Sequence, residues 1–134
     1  MDAKQLIKKA LEAQDKAYVP YSGFKVGAAL LTKSGNIYTG CNIESASYTP
    51  TICAERTAIS KAVSEGEQDI EAIAVVGNPE QFTYPCGVCR QVIREFGRDA
   101  TIIIAKNENE YKMYKLDELL PYSFGPEDLE KEDK

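Results

Sequence analysis

Ile70-Glu71-Ala72-Ile73-Ala74-Val75-Val76-Gly77, followed by Pro85 to Gly97 and then Thr101 to Ala105, is the stretch on which the fold turns. The first segment is short and strongly apolar, with Ile73, Val75 and Val76, the signature of a strand buried on both faces. Pro85-Cys86-Gly87 opens a helix that carries Val92, Ile93 and Phe96 and stops at Gly97. Thr101-Ile102-Ile103-Ile104-Ala105 is a second strand of the same doubly buried kind. Working outward, Cys53 to Val63 has a helical pattern halted at Gly66. Leu6, Ile7, Ala10, Leu11, Ala13, Ala17 and Tyr18 recur at helical spacing up to Pro20. Phe24 to Thr32 and Asn36 to Ile43 flank the turn Lys33-Ser34-Gly35 as a hairpin. Tyr111 to Lys115 reads as a further strand and Leu116 to Leu120 as a helical turn. This order of elements predicts a three-layer α/β/α sandwich around one mixed, five-stranded sheet. One domain is expected over residues 1–126, with 127–134 a charged, frayed tail.

The 134 residues suffice for one domain that buries about two-thirds of its unfolded surface. The longest apolar runs fall far short of the ~20 residues of a membrane helix. The N-terminal Met1-Asp2-Ala3-Lys4-Gln5 lacks the layout of a signal peptide, so a reducing cytoplasm is the expected location. Sixteen Lys and Arg against twenty-one Asp and Glu leave a net charge of −5, which argues against duplex nucleic acid as a partner and for a small or uncharged substrate. Histidine is absent and cysteine occurs four times. Without imidazole, Ser-His and Cys-His nucleophiles and His-ligated metals are excluded. Acid–base work falls to carboxylates, lysines, tyrosines or activated water.

Cys86 and Cys89 stand at i and i+3, in the first turn of a helix beginning near Gly87, and Cys53 opens the earlier helix. Free N–H groups and the helix dipole at such ends favour thiolate over thiol. Two helices on one side of a sheet can bring the three sulfurs together as a tripod with one open corner, the pattern of a catalytic zinc. Cys41 could close the tetrahedron into a structural site, although it lies in an alternating strand; a redox Cys-x-x-Cys is the other competitor, and it leaves Cys53 and Glu55 unexplained. Glu55 lies two residues beyond Cys53, where its carboxylate reaches over a bound metal. Three thiolates on Zn²⁺ give 3 × (−1) + 2 = −1, so the site calls for positive charge nearby. Arg56 and Arg90, each directly after a site residue, could donate to cysteine sulfur.

Cys53-Ala54-Glu55 followed by Pro85-Cys86-Gly87-Val88-Cys89 matches the three-cysteine form of the zinc nucleobase deaminase signature. Over nearly its whole length the chain resembles the small, homotetrameric cytidine deaminases. The matching stretches are Ala17 to Ala29, Gly40-Cys41-Asn42-Ile43-Glu44, Cys53 to Ala58, Pro85 to Gln91 and Leu119-Leu120-Pro121-Tyr122-Ser123-Phe124. The resemblance implies zinc, one per subunit, on Cys53, Cys86 and Cys89, with Glu55 shuttling protons and Arg56 compensating charge. It implies a nucleoside pocket with Phe24 and Ala54, ribose hydroxyls held by Asn42 and Glu44, and Phe124 reaching a neighbouring subunit's site in a homotetramer. The implied reaction is hydrolytic deamination of cytidine and deoxycytidine in pyrimidine salvage, with a free nucleoside rather than nucleic acid as the partner. Deamination of another base or nucleotide, and a non-enzymatic zinc-stabilised domain, are the alternatives.

Overall fold

The structure is a computed structural model, described for residues 1–129. Its strands are β1 (Gly27–Thr32), β2 (Ile37–Cys41), β3 (Ile70–Val76), β4 (Thr101–Asn107) and β5 (Glu110–Lys115). They form one sheet in the order β2-β1-β3-β4-β5. β3 and β4 run parallel, Ala72 opposite Thr101, and every other pairing is antiparallel. The sheet is therefore mixed and five-stranded, as expected. Ala72 to Val76 and Ile102 to Ala105 have no solvent exposure, because helices cover both faces of the two central strands.

Alternation of side chains along β3 and β4 assigns the faces. Helix α1 (Ala3–Gln14) lays Leu6, Ile7 and Ala10 on the face that carries Ala72, Ala74, Val76 and Ile103. Helices α2 (Ala54–Ser64) and α3 (Gly87–Phe96) cover the opposite face, where Ala58, Ile59, Ala62 and Ile93 meet Leu30, Ile73, Ile102 and Ile104. α4 (Leu116–Leu119) follows β5 directly. Gly40 in β2 sits against the start of α2, where a Cβ would run into the Ala54 carbonyl and the Ala58 N–H. The N-terminus of α2 is thus drawn onto the sheet at a position only glycine allows.

Three boundaries differ from the sequence pattern, and tertiary hydrogen bonds explain each. α1 ends at Gln14 rather than near Pro20, because Gln14 Nε2 donates to the carbonyls of Lys25 (3.0 Å) and Gly77 (2.8 Å), and Tyr18 bridges to Ile43 instead. β1 begins at Gly27 rather than Phe24: the Asn42 side chain accepts from Val26 N–H at 2.9 Å and donates to the Phe24 carbonyl at 2.8 Å, replacing a strand ladder. The chain around Glu127 is not frayed. Pro126–Leu129 form a 3₁₀ turn, and Glu127 bridges the buried Arg94 (2.8 Å) and Arg98 (3.0 Å). The rest of the expected tail, 130–134, lies outside the described residues. Among the described residues no helix is long and apolar enough to cross a membrane.

Candidate active site

Cys53 is the N-cap of α2, Cys86 is the N-cap of α3 and Cys89 lies in the first turn of α3. Because α2 and α3 share one face of the sheet, their N-termini converge. The sulfurs of Cys53, Cys86 and Cys89 all lie within 4.8 Å of one another, with Cys53 Sγ and Cys86 Sγ 3.9 Å apart. Tetrahedral zinc with Zn–S bonds of ~2.3 Å requires sulfurs about 3.8 Å apart, so the group is spaced for that ion. Cys41 is a half-buried thiol in β2 outside this group, which leaves three donors rather than a closed set of four.

The cysteine electrostatics suit a cation. The Cys53 thiol is pulled down to about 5, chiefly by its hydrogen bond with Cys89 and against the cost of burial, with Arg56 and Cys86 assisting. Cys89, the partner in that bond, is pushed up by it and by burial. A divalent cation bound by these sulfurs displaces their protons. Arg56 Nη2 donates to Cys53 Sγ at 3.4 Å, and this bond holds its guanidinium firmly protonated. Arg90 does not reach a sulfur, contrary to its expected alternative: Nε donates to the Pro85 carbonyl at 2.7 Å and Nη1 to the Leu119 carbonyl at 2.8 Å. It braces the backbone before Cys86 from the far end of α4.

Glu55 is only 3% exposed. Burial pushes its carboxyl up to about 7; its own backbone N–H opposes the shift, the negative charge at Cys53 adds to it and Arg56 opposes it. A carboxyl of this kind can take up and release a proton near neutral pH. It opens onto a cavity of about 220 Å³ shared with Phe24, Asn42, Cys53, Ala54 and Cys86. Val26, Thr83 and Tyr84 line the same cavity and were missed in the sequence. Thr83 and Tyr84 directly precede Pro85-Cys86, and that adjacency is the one signal that points to them.

Asn42 and Glu44 part company. Asn42 lines the cavity with Glu55, whereas Glu44 lines a separate cavity of about 350 Å³ with Tyr21, Ser22, Tyr48 and Thr51. Glu44 accepts from the N–H groups of Tyr21 (3.0 Å) and Ser22 (3.1 Å) and from the Ser22 hydroxyl, and that hydroxyl holds its carboxyl below the usual range. Both side chains therefore secure the loop that presents Phe24. Phe124 lies outside its own chain's cavity, 58% exposed, with its carbonyl accepting from Gln91 Nε2 at 2.8 Å.

Residues 1–106 match the model of the cytidine and deoxycytidylate deaminase zinc-binding region. A cytidine deaminase of Halalkalibacterium halodurans is 48% identical over 130 residues, covering 96% of this chain and 98% of that protein. The crystal structure of cytidine deaminase from Burkholderia pseudomallei superposes with a TM-score of 0.86 at 43% identity, over 92% of this chain and all of that one. That of Mycobacterium tuberculosis gives 0.83 at 39% identity, over 93% and 98% of the two chains.

Proposed function

The chain belongs to the cytidine and deoxycytidylate deaminase family, and on that premise we propose that Cys53, Cys86 and Cys89 hold its metal and Glu55 carries its protons. The activity is zinc-dependent hydrolytic deamination of cytidine, for which pyrimidine salvage is the usual role. One observation carries the division of labour: of three sulfurs at zinc-binding spacing, those of Cys53 and Cys86 belong to residues that line the same cavity as a buried carboxyl. Zinc, when bound, supplies a Lewis acid that makes water a nucleophile near neutral pH. Glu55 would take up the two protons of the attacking water in turn, delivering the first to ring N3 and the second to the departing amino group. Water and cytidine leave as uridine and ammonia, and one carboxyl serves as both base and acid. Arg56, donating to Cys53 Sγ, draws negative charge from the thiolate set.

Phe24, Ala54 and Asn42 hold the nucleoside in the cavity. Asn42 spends one of its two amide donors and one of its two acceptor sites on the 24–26 backbone, and keeps one of each for a ribose hydroxyl. Glu44 has three of about four acceptor sites occupied, so one remains for a neighbouring hydroxyl. Deoxycytidine is accepted as a second substrate. The working form is a cytoplasmic homotetramer of a single domain that includes the Glu127 segment, with Phe124 completing a neighbour's site. The exposure of Tyr21, Phe24, Tyr48 and Phe124, four aromatic rings on the surface, supports that arrangement.

Ultraviolet absorbance with cytidine, deoxycytidine, cytidine monophosphate and adenosine, each with and without a zinc chelator, tests this reading. Turnover of the two nucleosides that the chelator abolishes is the expected result. Preference for the monophosphate or for adenosine overturns it. Sedimentation equilibrium at micromolar concentration checks the tetramer.

A further inference from the structure

Two contacts tie the loop between β3 and α3 to the edge strand β5, and no step of the proposed chemistry uses them. The hydroxyls of Tyr84 and Tyr114 share a hydrogen bond at 2.6 Å, with their ring centroids 5.7 Å apart and the ring planes inclined at 57°. Two residues earlier in the loop, Phe82 lies beneath the ammonium groups of Lys106 (4.7 Å) and Lys112 (4.6 Å). Lys112 and Tyr114 alternate along β5 and so project from one face of it. That strand therefore grips the loop at two points a dipeptide apart. The loop's next two residues are Pro85 and the sulfur ligand Cys86.

Tyr84 is also a wall of the cavity that holds Glu55 and Cys86. Within that wall Phe24 and Tyr84 are the two aromatic residues, and they arrive from different loops. A flat base held in such a cavity is oriented by the faces that flank it. The position of an aromatic wall next to the reacting groups decides whether the base enters in register with them. An unanchored tyrosine at 37% exposure would sample several rotamers, and each would give the base a different seat.

We infer that Tyr84 is a substrate-positioning wall of this deaminase site and that Tyr114, from the edge strand β5, sets it in place through the shared hydroxyl bond. Tyr114 touches neither the cavity nor the sulfurs and acts only through Tyr84. The inference rests on the deaminase reading above.

The experiment compares steady-state cytidine kinetics of the zinc-loaded protein with those of Tyr114→Phe, Tyr84→Phe, the double variant and Tyr84→Leu. Zinc content and Tm are measured for each. Removing one hydroxyl keeps both rings, so Tyr114→Phe is expected to raise KM about three- to tenfold, the scale of one hydrogen bond, with kcat within about twofold. Tyr84→Phe should match it, and the double variant should be no worse than either, because both delete one bond. Tyr84→Leu should raise KM further. Unchanged KM in the two Phe variants, additive losses in the double variant, or losses that follow zinc content or Tm would overturn the inference. Wild-type protein that fails to turn over cytidine defeats the deaminase reading and this inference with it. Wild-type protein that turns over while Tyr114→Phe keeps its KM defeats the inference alone.

Discussion

Glu55 and Glu67 stand at opposite ends of α2 and carry the same functional group, yet their surroundings drive them apart. Glu55, in the first turn, is buried and its carboxyl is pushed up to about 7 by loss of water. Glu67 follows the left-handed Gly66 that ends the helix, and it is half-exposed. Its carboxylate accepts from the Ser34 hydroxyl, from Asn36 Nδ2 at 2.6 Å and from the Tyr38 hydroxyl at 2.7 Å. The hydroxyls of Ser34, Thr32 and Tyr38 and the Asn36 amide hold it down to about 2. A carboxylate surrounded by donors fastens a hairpin to a helix end. One stripped of water and set beside thiolates is available to move protons. Environment divides the two roles.

The contrast can be broken at either end. The largest effect belongs to Glu55→Gln, which keeps shape and zinc but has no proton to trade. Turnover should fall by about three orders of magnitude or more, with metal content and Tm close to wild type; near-normal kcat would remove Glu55 from the mechanism. Arg56→Gln deletes the donor to Cys53 Sγ and should cost about 10–100-fold in activity or zinc affinity, read by metal titration alongside kcat. Asn42→Ala frees the Phe24–Val26 backbone and should lower kcat/KM about tenfold, mainly through KM. The smallest effect on activity is that of Glu67→Gln, with kcat unchanged.

Glu67→Gln should instead show in stability. The folded pKa lies below the unfolded one, so the unfolded chain binds the extra proton between about pH 4.5 and pH 2. The contribution of Glu67 is therefore complete above about pH 4.5 and is lost as pH falls toward 2. Solvent screening at this half-exposed site keeps the effect small. Thermal melts at pH 7 and pH 3 should differ less in Glu67→Gln than in wild type, and an equal or larger difference would show that the network does not stabilise the fold.

The same contrast explains what could be read ahead of the structure. Cys53, Glu55, Cys86 and Cys89 were legible because their geometry is local: spacings of two and three residues at helix starts place side chains whatever the rest of the chain does. The doubly apolar runs at Ile70 and Thr101 likewise gave the central strands and the layers above and below them. Contacts formed across the chain were not legible. Arg90 and Arg56 look alike in the sequence, yet one reaches the Leu119 carbonyl and the other a sulfur. Phe24-Lys25-Val26 has a strand's pattern, but a side-chain amide sixteen residues on from Val26 takes its ladder bonds. Tyr84 gains its place from a partner thirty residues away. The order in the Glu127 segment comes from Arg94, on a helix that precedes it by two strands.

Gly40 carries no chemistry, sits on an edge strand, and has the Ala54 carbonyl where its side chain would be. Ala54 lies between Cys53 and Glu55, so any atom added at position 40 is transmitted as a shift of the ligand and the proton carrier together. In a saturation scan scored for growth on cytidine, this glycine should be as intolerant as a metal ligand. In a scan scored for folded protein it should stand apart from Ala28 and Ala29, the fully buried alanines of the adjacent strand β1, because its substitutions spoil the alignment of two helix ends before they spoil the core.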